Sequence, residues 1–290
     1  MIKDIFQTKK TVLSCEVFPP KRNDDIYTIF KTLDEIQTCH PDFISVTYGA
    51  GGGTRKKTAT IAAYIQNICE VEALAHLTSV AMDEPFLRQM VTELNAKGVH
   101  NILALRGDQP RDMSDEDFAN RHFRHTTDIV PLIREAATSD ICVAAACYPE
   151  KHPESASVEE DLTYLKKKEE SGVDFFITQM FFDNSKFLHF RENCRSHGIQ
   201  APITAGIMPI TSAKQIGTSV QLSGSSVPTA LSNLLAKYGE HPEDMKKAGV
   251  EYAVAQIEEL LSEGVEGIHL YSMNKSDVTL DIFRQISVRN

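Results

Sequence analysis

Eight short apolar runs recur along the 290-residue chain, and each is followed by a longer stretch of helical pattern. The runs are TVLSCEVF (11–18), FISVTY (43–48), ALAHLTSV (73–80), NILALRG (101–107), ICVAAACY (141–148), FFITQM (175–180), PITAGIM (202–208) and GIHLYSM (267–273). Their apolar character is near-continuous, as parallel strands covered on both faces require. The stretches between them carry helix start and stop signals. Ser157-Val-Glu-Glu160 has the spacing of a capping box, and the segment it opens stops at Gly172. Asp183 is placed to cap a helix ending near Gly198, the 82–97 segment stops at Gly98, and the long 242–263 segment stops at Gly264. Glycine suits these positions because a left-handed residue after a helix costs it no steric strain. Two helical stretches, 228–238 and 242–263, fall between the seventh and eighth runs, one more than a plain repeat needs. With 42% apolar residues and no break in composition, residues 1–290 read as one domain. Eight strand-plus-helix units in this length predict an α/β fold, a (β/α)8 barrel of the TIM type with an extra helix between strands 7 and 8. A doubly wound open sheet uses the same alternation and remains the rival topology.

In such a barrel, chemistry gathers at the C-terminal ends of the strands. The polar residues at those ends are Glu16; Thr47 and Tyr48; His76 and Thr78; Arg106 and Asp108; Tyr148, Glu150 and His152; Gln179; and Ser272, Asn274 and Lys275. Strand 7 offers only Met208 and Pro209. Taken singly, each has an ordinary structural explanation: an ion pair, a core histidine, a solvated face. Seven strands ending in polar groups near one face predict a polar pocket over an apolar core, the usual form of a ligand site. Glu16 is the sharpest member, because an unpaired carboxylate inside an apolar strand is costly.

Other classes find less support. The net charge of −10 argues against nucleic acid as a partner. The first ten residues, MIKDIFQTKK, lack the apolar stretch of a signal peptide, and no apolar run approaches a membrane span, so a cytoplasmic chain is expected. The six cysteines show no C-x-x-C pairing; Cys15, Cys142 and Cys147 lie in apolar runs, where a free thiol acts as a small core residue. No H-E-x-x-H or paired-histidine spacing points to a metal, and no G-x-S-x-G elbow is present. The loop Gly49-Ala-Gly51-Gly-Gly53-Thr54 approximates a dinucleotide fingerprint but ends in threonine.

The motifs SCEVFPP, VTYGA, AHLT, LALRGD, ACYPEKHPE, ITQMFFD and GIMPI stand in the order found in 5,10-methylenetetrahydrofolate reductases. The chain resembles the short bacterial form of that family, from Glu16 to about Lys275. The resemblance implies a (β/α)8 flavoprotein that binds FAD non-covalently without a Rossmann domain. It further implies reduction of 5,10-methylenetetrahydrofolate to 5-methyltetrahydrofolate with NADH or NADPH, by ping-pong hydride transfer, in one-carbon metabolism and methionine supply. A homo-oligomer is the expected assembly.

Site residues follow from the matching motifs. Glu16 resembles the general acid, which protonates the departing nitrogen as the folate ring opens to an exocyclic iminium; its apolar neighbours Val17 and Phe18 are expected to keep it dry. Asp108 resembles the carboxylate that contacts the pterin beside the flavin. Gln179, Gln215 and Lys275 match substrate-binding positions, Lys275 replacing the arginine of the enterobacterial pattern. For FAD the matching positions are Thr47, Tyr48, Ala50, His76, Arg106, Gly107, Asp108, Tyr148, His152, Asp161 and Lys168. Asp161 and Lys168 lie two turns apart on one helix face, and Lys168 and Arg106 are suited to a pyrophosphate, with Lys167 a third candidate and Lys166 a solvated one. Two positions depart from the enterobacterial pattern: Ser219 stands where it has a phenylalanine, and His125 where it has a tyrosine. The 109–124 loop is also longer and more charged.

Overall fold

A computed structural model describes residues 1–20, 26–48, 55–110 and 113–286. All eight apolar runs form strands: β1 (Val12–Val17), β2 (Phe43–Val46), β3 (Glu72–Thr78), β4 (Asn101–Leu105), β5 (Cys142–Cys147), β6 (Phe175–Thr178), β7 (Ile203–Ile207) and β8 (Gly267–Tyr271). Each neighbour pair is parallel, and β8 pairs back onto β1 from Val12↔Gly267 to Glu16↔Tyr271, so the sheet is a closed barrel and the open-sheet topology is excluded. The strands stop short of the apolar runs, leaving Thr47, Arg106, Tyr148 and Gln179 in the loops that follow them.

The helices are α1 (Ile2–Thr8), α2 (Ile26–Ile36), α3 (Arg55–Asn67), α4 (Glu84–Ala96), α5 (Asp115–Ala119), α6 (Thr126–Ala136), α7 (Val158–Glu170), α8 (Asn184–Ser196), α9 (Ala213–Ser223), α10 (Thr229–Tyr238), α11 (Pro242–Ser262) and α12 (Ser276–Gln285). Three helices, not two, separate β7 from β8. The sequence does not mark the start of α9: Ser212 makes no capping bond and Gly217 sits in the helix interior, where glycine is unfavourable. The expected stops hold, with Gly98, Gly172, Gly198 and Gly264 all at positive φ. The capping box of α7 is displaced by one residue. Ser157 accepts from the Glu160 N–H at 3.1 Å, while the Glu160 carboxylate accepts from Ala156 N–H at 2.6 Å. All six cysteines are free thiols, and five of them are buried.

Three apolar layers result. Outward strand residues such as Cys15, Val17, Ile44 and Val46 pack under the helices in the largest cluster. Inside the barrel, Val12, Phe43, Leu74, Leu103 and Phe175 fill the N-terminal end, closed from below by Ile2, Ile5 and Phe6 of α1. The Ile2 N–H donates to Asn101 Oδ1 at 3.0 Å, and the Phe6 and Phe175 rings lie 5.0 Å apart. The N-terminal segment is thus a plug for the barrel floor. A third cluster, including Met180, Phe182, Met208, Leu231 and Met245, joins α9–α11 to the β6–β7 side of the mouth. Among the described residues, no helix is long and apolar enough to cross a membrane.

Candidate active site

A cavity of about 940 Å³ opens at the C-terminal mouth of the barrel, at the upper end of the range for small-molecule sites. Its most buried carboxylate is Glu16. Side chains alternate along a strand, so Ser14 and Glu16 face the interior while Cys15 and Val17 pack under the helices. Val17, expected as a dehydrating neighbour, is therefore turned away, and Phe18 stays on the cavity wall. The barrel itself dries Glu16, leaving it 7% exposed. Two imidazoles flank it: His76 Nε2 at 3.4 Å and His269 Nε2 at 3.9 Å from Oε2. Burial lowers the His76 pKa to about 4, with nearby Glu16 only partly offsetting it, so this ring is neutral at pH 7. Ser14 Oγ donates to Ile268 O at 3.1 Å and meets His269 Nδ1 at 2.7 Å, which makes Nδ1 the donor and leaves Nε2 to accept from Ser45 Oγ at 3.3 Å.

Residues after β8 hold the end of β1 in place. Ser272 Oγ donates to Glu16 O at 2.5 Å, and Asn274 accepts from Phe18 N–H at 2.8 Å and donates to Phe18 O at 2.9 Å. The inward face of β8 instead carries His269 and Tyr271, whose phenol donates to Thr178 O at 2.6 Å.

The β4–β5–α7 side is basic. The Lys168 ammonium, half-buried at the wall, donates to Ala146 O at 2.8 Å, and desolvation lowers its pKa. Among the described residues it makes no ion pair, though Asp161 is near enough to favour its charge. Arg106 is bidentate to Glu154, at 2.5 and 2.9 Å. Asp161 holds the loop after β5, accepting from His152 N–H and Ser155 Oγ, each at 3.1 Å. Tyr148 and His152 meet edge to face at 4.5 Å, and burial pushes the Tyr148 phenol up to about 12. Gly107 has φ +88°, and a Cβ there would meet Thr78 Cγ2 at 2.0 Å, so a side chain is excluded for both reasons. Asp108 is exposed at the rim, in contrast to dry Glu16. His125 stacks on Tyr164 at 5.4 Å, and Ser219 is buried at the wall.

The fifteen site positions singled out by sequence therefore divide unevenly. Glu16, Thr47, His76, Arg106, Gly107, Asp108, Tyr148, His152, Asp161, Lys168, Gln179 and Gln215 all line the cavity. Gln179 accepts from Met180 N–H at 2.9 Å, leaving its amide NH2 for a ligand. Gln215 spends both ends within its own loop, on Thr211 N–H at 3.1 Å and Pro209 O at 3.0 Å. Lys275 does not reach the wall: its ammonium donates to Thr211 Oγ1 at 2.7 Å, bracing the same loop. Tyr48 packs against the outer layer. Ala50, with the rest of the glycine loop 49–54, lies outside the described residues. Lys167 approaches the Tyr164 ring at 5.1 Å, and Lys166 pairs with Glu169 at 2.6 Å. Sequence reading missed His269, Tyr271 and Glu154. Strand parity puts Gly267, His269 and Tyr271 on one face but does not say that this face points inward, and nothing local flags Glu154. No cluster of metal-ligating side chains exists among the described residues.

A buried carboxyl, two imidazoles, an amide and a basic flank form one mouth. The family model for methylenetetrahydrofolate reductase matches residues 1–287. The chain is 34% identical over 277 residues to 5,10-methylenetetrahydrofolate reductase of Pectobacterium carotovorum subsp. carotovorum, covering 96% of this chain and 90% of that protein. It is 32% identical over 296 residues to methylenetetrahydrofolate reductase (NADH) 1 of Arabidopsis thaliana, covering 99% of this chain and 50% of the plant protein. Among solved structures, a Clostridium thermocellum protein described as binding two copies of 5-methyl-5,6,7,8-tetrahydrofolic acid superposes with a TM-score of 0.63 over 98% of this chain and 96% of its own, at 13% identity, a likeness of fold. On the extent of these matches, the chain belongs to the methylenetetrahydrofolate reductase family.

Proposed function

We propose that this chain reduces 5,10-methylenetetrahydrofolate to 5-methyltetrahydrofolate, using non-covalent FAD and NADH or NADPH, and so supplies methyl groups for methionine synthesis in the cytoplasm as a homo-oligomer. The observation that carries the reading is Glu16, a carboxyl 7% exposed at the foot of a large cavity with imidazoles on two sides. It faces the cavity from the end of β1, so the geometry suits a proton donor. Protonating the folate nitrogen breaks its bond to the bridging methylene and leaves an iminium carbon that a hydride can attack. The residues present fit a dinucleotide cofactor: Lys168 is a half-buried cation on the cavity wall with no ion pair among the described residues, Arg106 is a second cation near it, and both line the same cavity. When bound, FAD supplies hydride transfer, accepted from the nicotinamide in one half-reaction and passed to the folate in the next.

The chain does the rest. Gln179 presents an amide NH2 toward a pterin acceptor. Asp108 is exposed at the rim, a position from which it would meet the pterin. The Ser272 and Asn274 bonds to β1 hold the acid in register with the cavity. Glu16→Gln keeps the shape and removes the acid. Folate reduction should fall by roughly 10²–10⁴-fold while oxidation of NADH or NADPH is largely kept, as followed by anaerobic bleaching and recovery of the flavin absorption. Equal loss of both half-reactions would remove Glu16 from this role, and a protein that cannot be reconstituted with FAD would remove the flavin.

A further inference from the structure

The basic flank of the cavity is only half available. The Arg106 guanidinium, 19% exposed, is gripped at both prongs by Glu154, whose own side chain is 60% exposed. A carboxylate presents two oxygens to an arginine fork much as a phosphate does. We propose that Glu154 is an internal competitor for the anion subsite, a carboxylate that holds Arg106 until a diphosphate group displaces it. This rests on reading the cavity as a dinucleotide site.

The surroundings allow that exchange without moving the loop. Asp161 pins the backbone of the 152–155 segment through His152 N–H and Ser155 Oγ. Lys151 binds the carbonyls of His152 and Ser155, and the Glu154 N–H rests on His152 Nδ1 at 3.1 Å. Only the Glu154 side chain, which points to solvent, has to turn. Its departure frees the Arg106 fork on the same wall as Lys168, with Arg121 nearby: both guanidiniums lie against the Phe118 ring, Arg121 at 4.1 Å and Arg106 at 5.8 Å. An arriving dianion then meets a site whose charge has just risen by one unit. Glu154 thereby favours ligands charged enough to replace it over neutral ones of similar shape.

Binding to the full-length chain, freed of any flavin, tests this with three probes: inorganic diphosphate by calorimetry, and FAD and riboflavin by flavin fluorescence. Glu154→Gln should bind diphosphate and FAD about 3- to 10-fold more tightly than wild type, the range expected for relieving one bidentate pair near the surface, with riboflavin unchanged. Glu154→Ala should move the same way, which separates loss of charge from any new bond made by glutamine. Unchanged or weaker diphosphate binding in both variants overturns the proposal, as does a failure of every form to bind diphosphate. Tighter diphosphate binding with no flavin binding by any form would support the competitor while rejecting the dinucleotide reading.

Discussion

His76 shows how one side chain couples the site to stability. In the unfolded chain its imidazole takes a proton near pH 6.5; in the barrel, burial delays this to about pH 4. Between those values the unfolded state binds the proton and the folded state does not. Folding stability is therefore whole above pH 6.5 and falls as pH drops through this window, by about 3 kcal/mol in all at roughly 1.4 kcal/mol per pH unit. His76→Gln should flatten that fall, so that urea unfolding at pH 7 and pH 4.5 shows a drop smaller by about 2 kcal/mol in the variant. A drop of the same size in both would mean that His76 is protonated in the folded protein. At this scale the sequence is legible only in part. It places Glu16, His76 and Gln179 at strand ends, but a run such as HLYSMNK does not say which parity faces inward. Ser272 and Asn274 were candidates for the site and prove to be ties to β1; His269 and Tyr271 face the interior instead. Glu154 is invisible to a local reading because its meaning is a partner 48 residues away.

Among the elements, α11 is the long helix that braces the β7 side of the mouth, and it can approach only because position 249 is glycine. A Cβ there would lie 1.9 Å from Ile210 O, a backbone atom that cannot swing aside. Alanine ordinarily stabilises a helix interior by up to about 1 kcal/mol over glycine. At this position overpacking should win, and Gly249→Ala is expected to destabilise by about 1–3 kcal/mol, read from the urea midpoint. A stabilised variant would show that α11 is free to shift. The strands and most helix ends were legible because burial and glycine stops are local properties. Helix α9 was not, because its start has no capping bond and its interior holds Gly217; the apolar cluster it shares with α10 and α11 supplies what local propensity does not. The plug made by α1 escaped for a related reason. MIKDIFQT reads as a weak amphipathic turn until the open floor of a barrel is placed beneath it.

Over the whole molecule, the eightfold alternation predicted the architecture, and closure completes it through a single seam, the pairing of β1 with β8. Seven strands without the eighth would leave two open edges and the interior of the barrel in water. A chain shortened to end at Gly264 should accordingly show no cooperative urea transition; a sharp two-state transition in that fragment would mean that the other strands form a stable sheet on their own. The seam has a second consequence, for the timing of synthesis. Glu16 belongs to the first strand made, while His269, Tyr271 and the Asn274 tie arrive with the last. A nascent chain on the ribosome carries its acid long before it can dehydrate or orient it. Under the role proposed for Glu16, the proton donor is assembled only when β8 emerges, so closing the barrel and completing the site are one event.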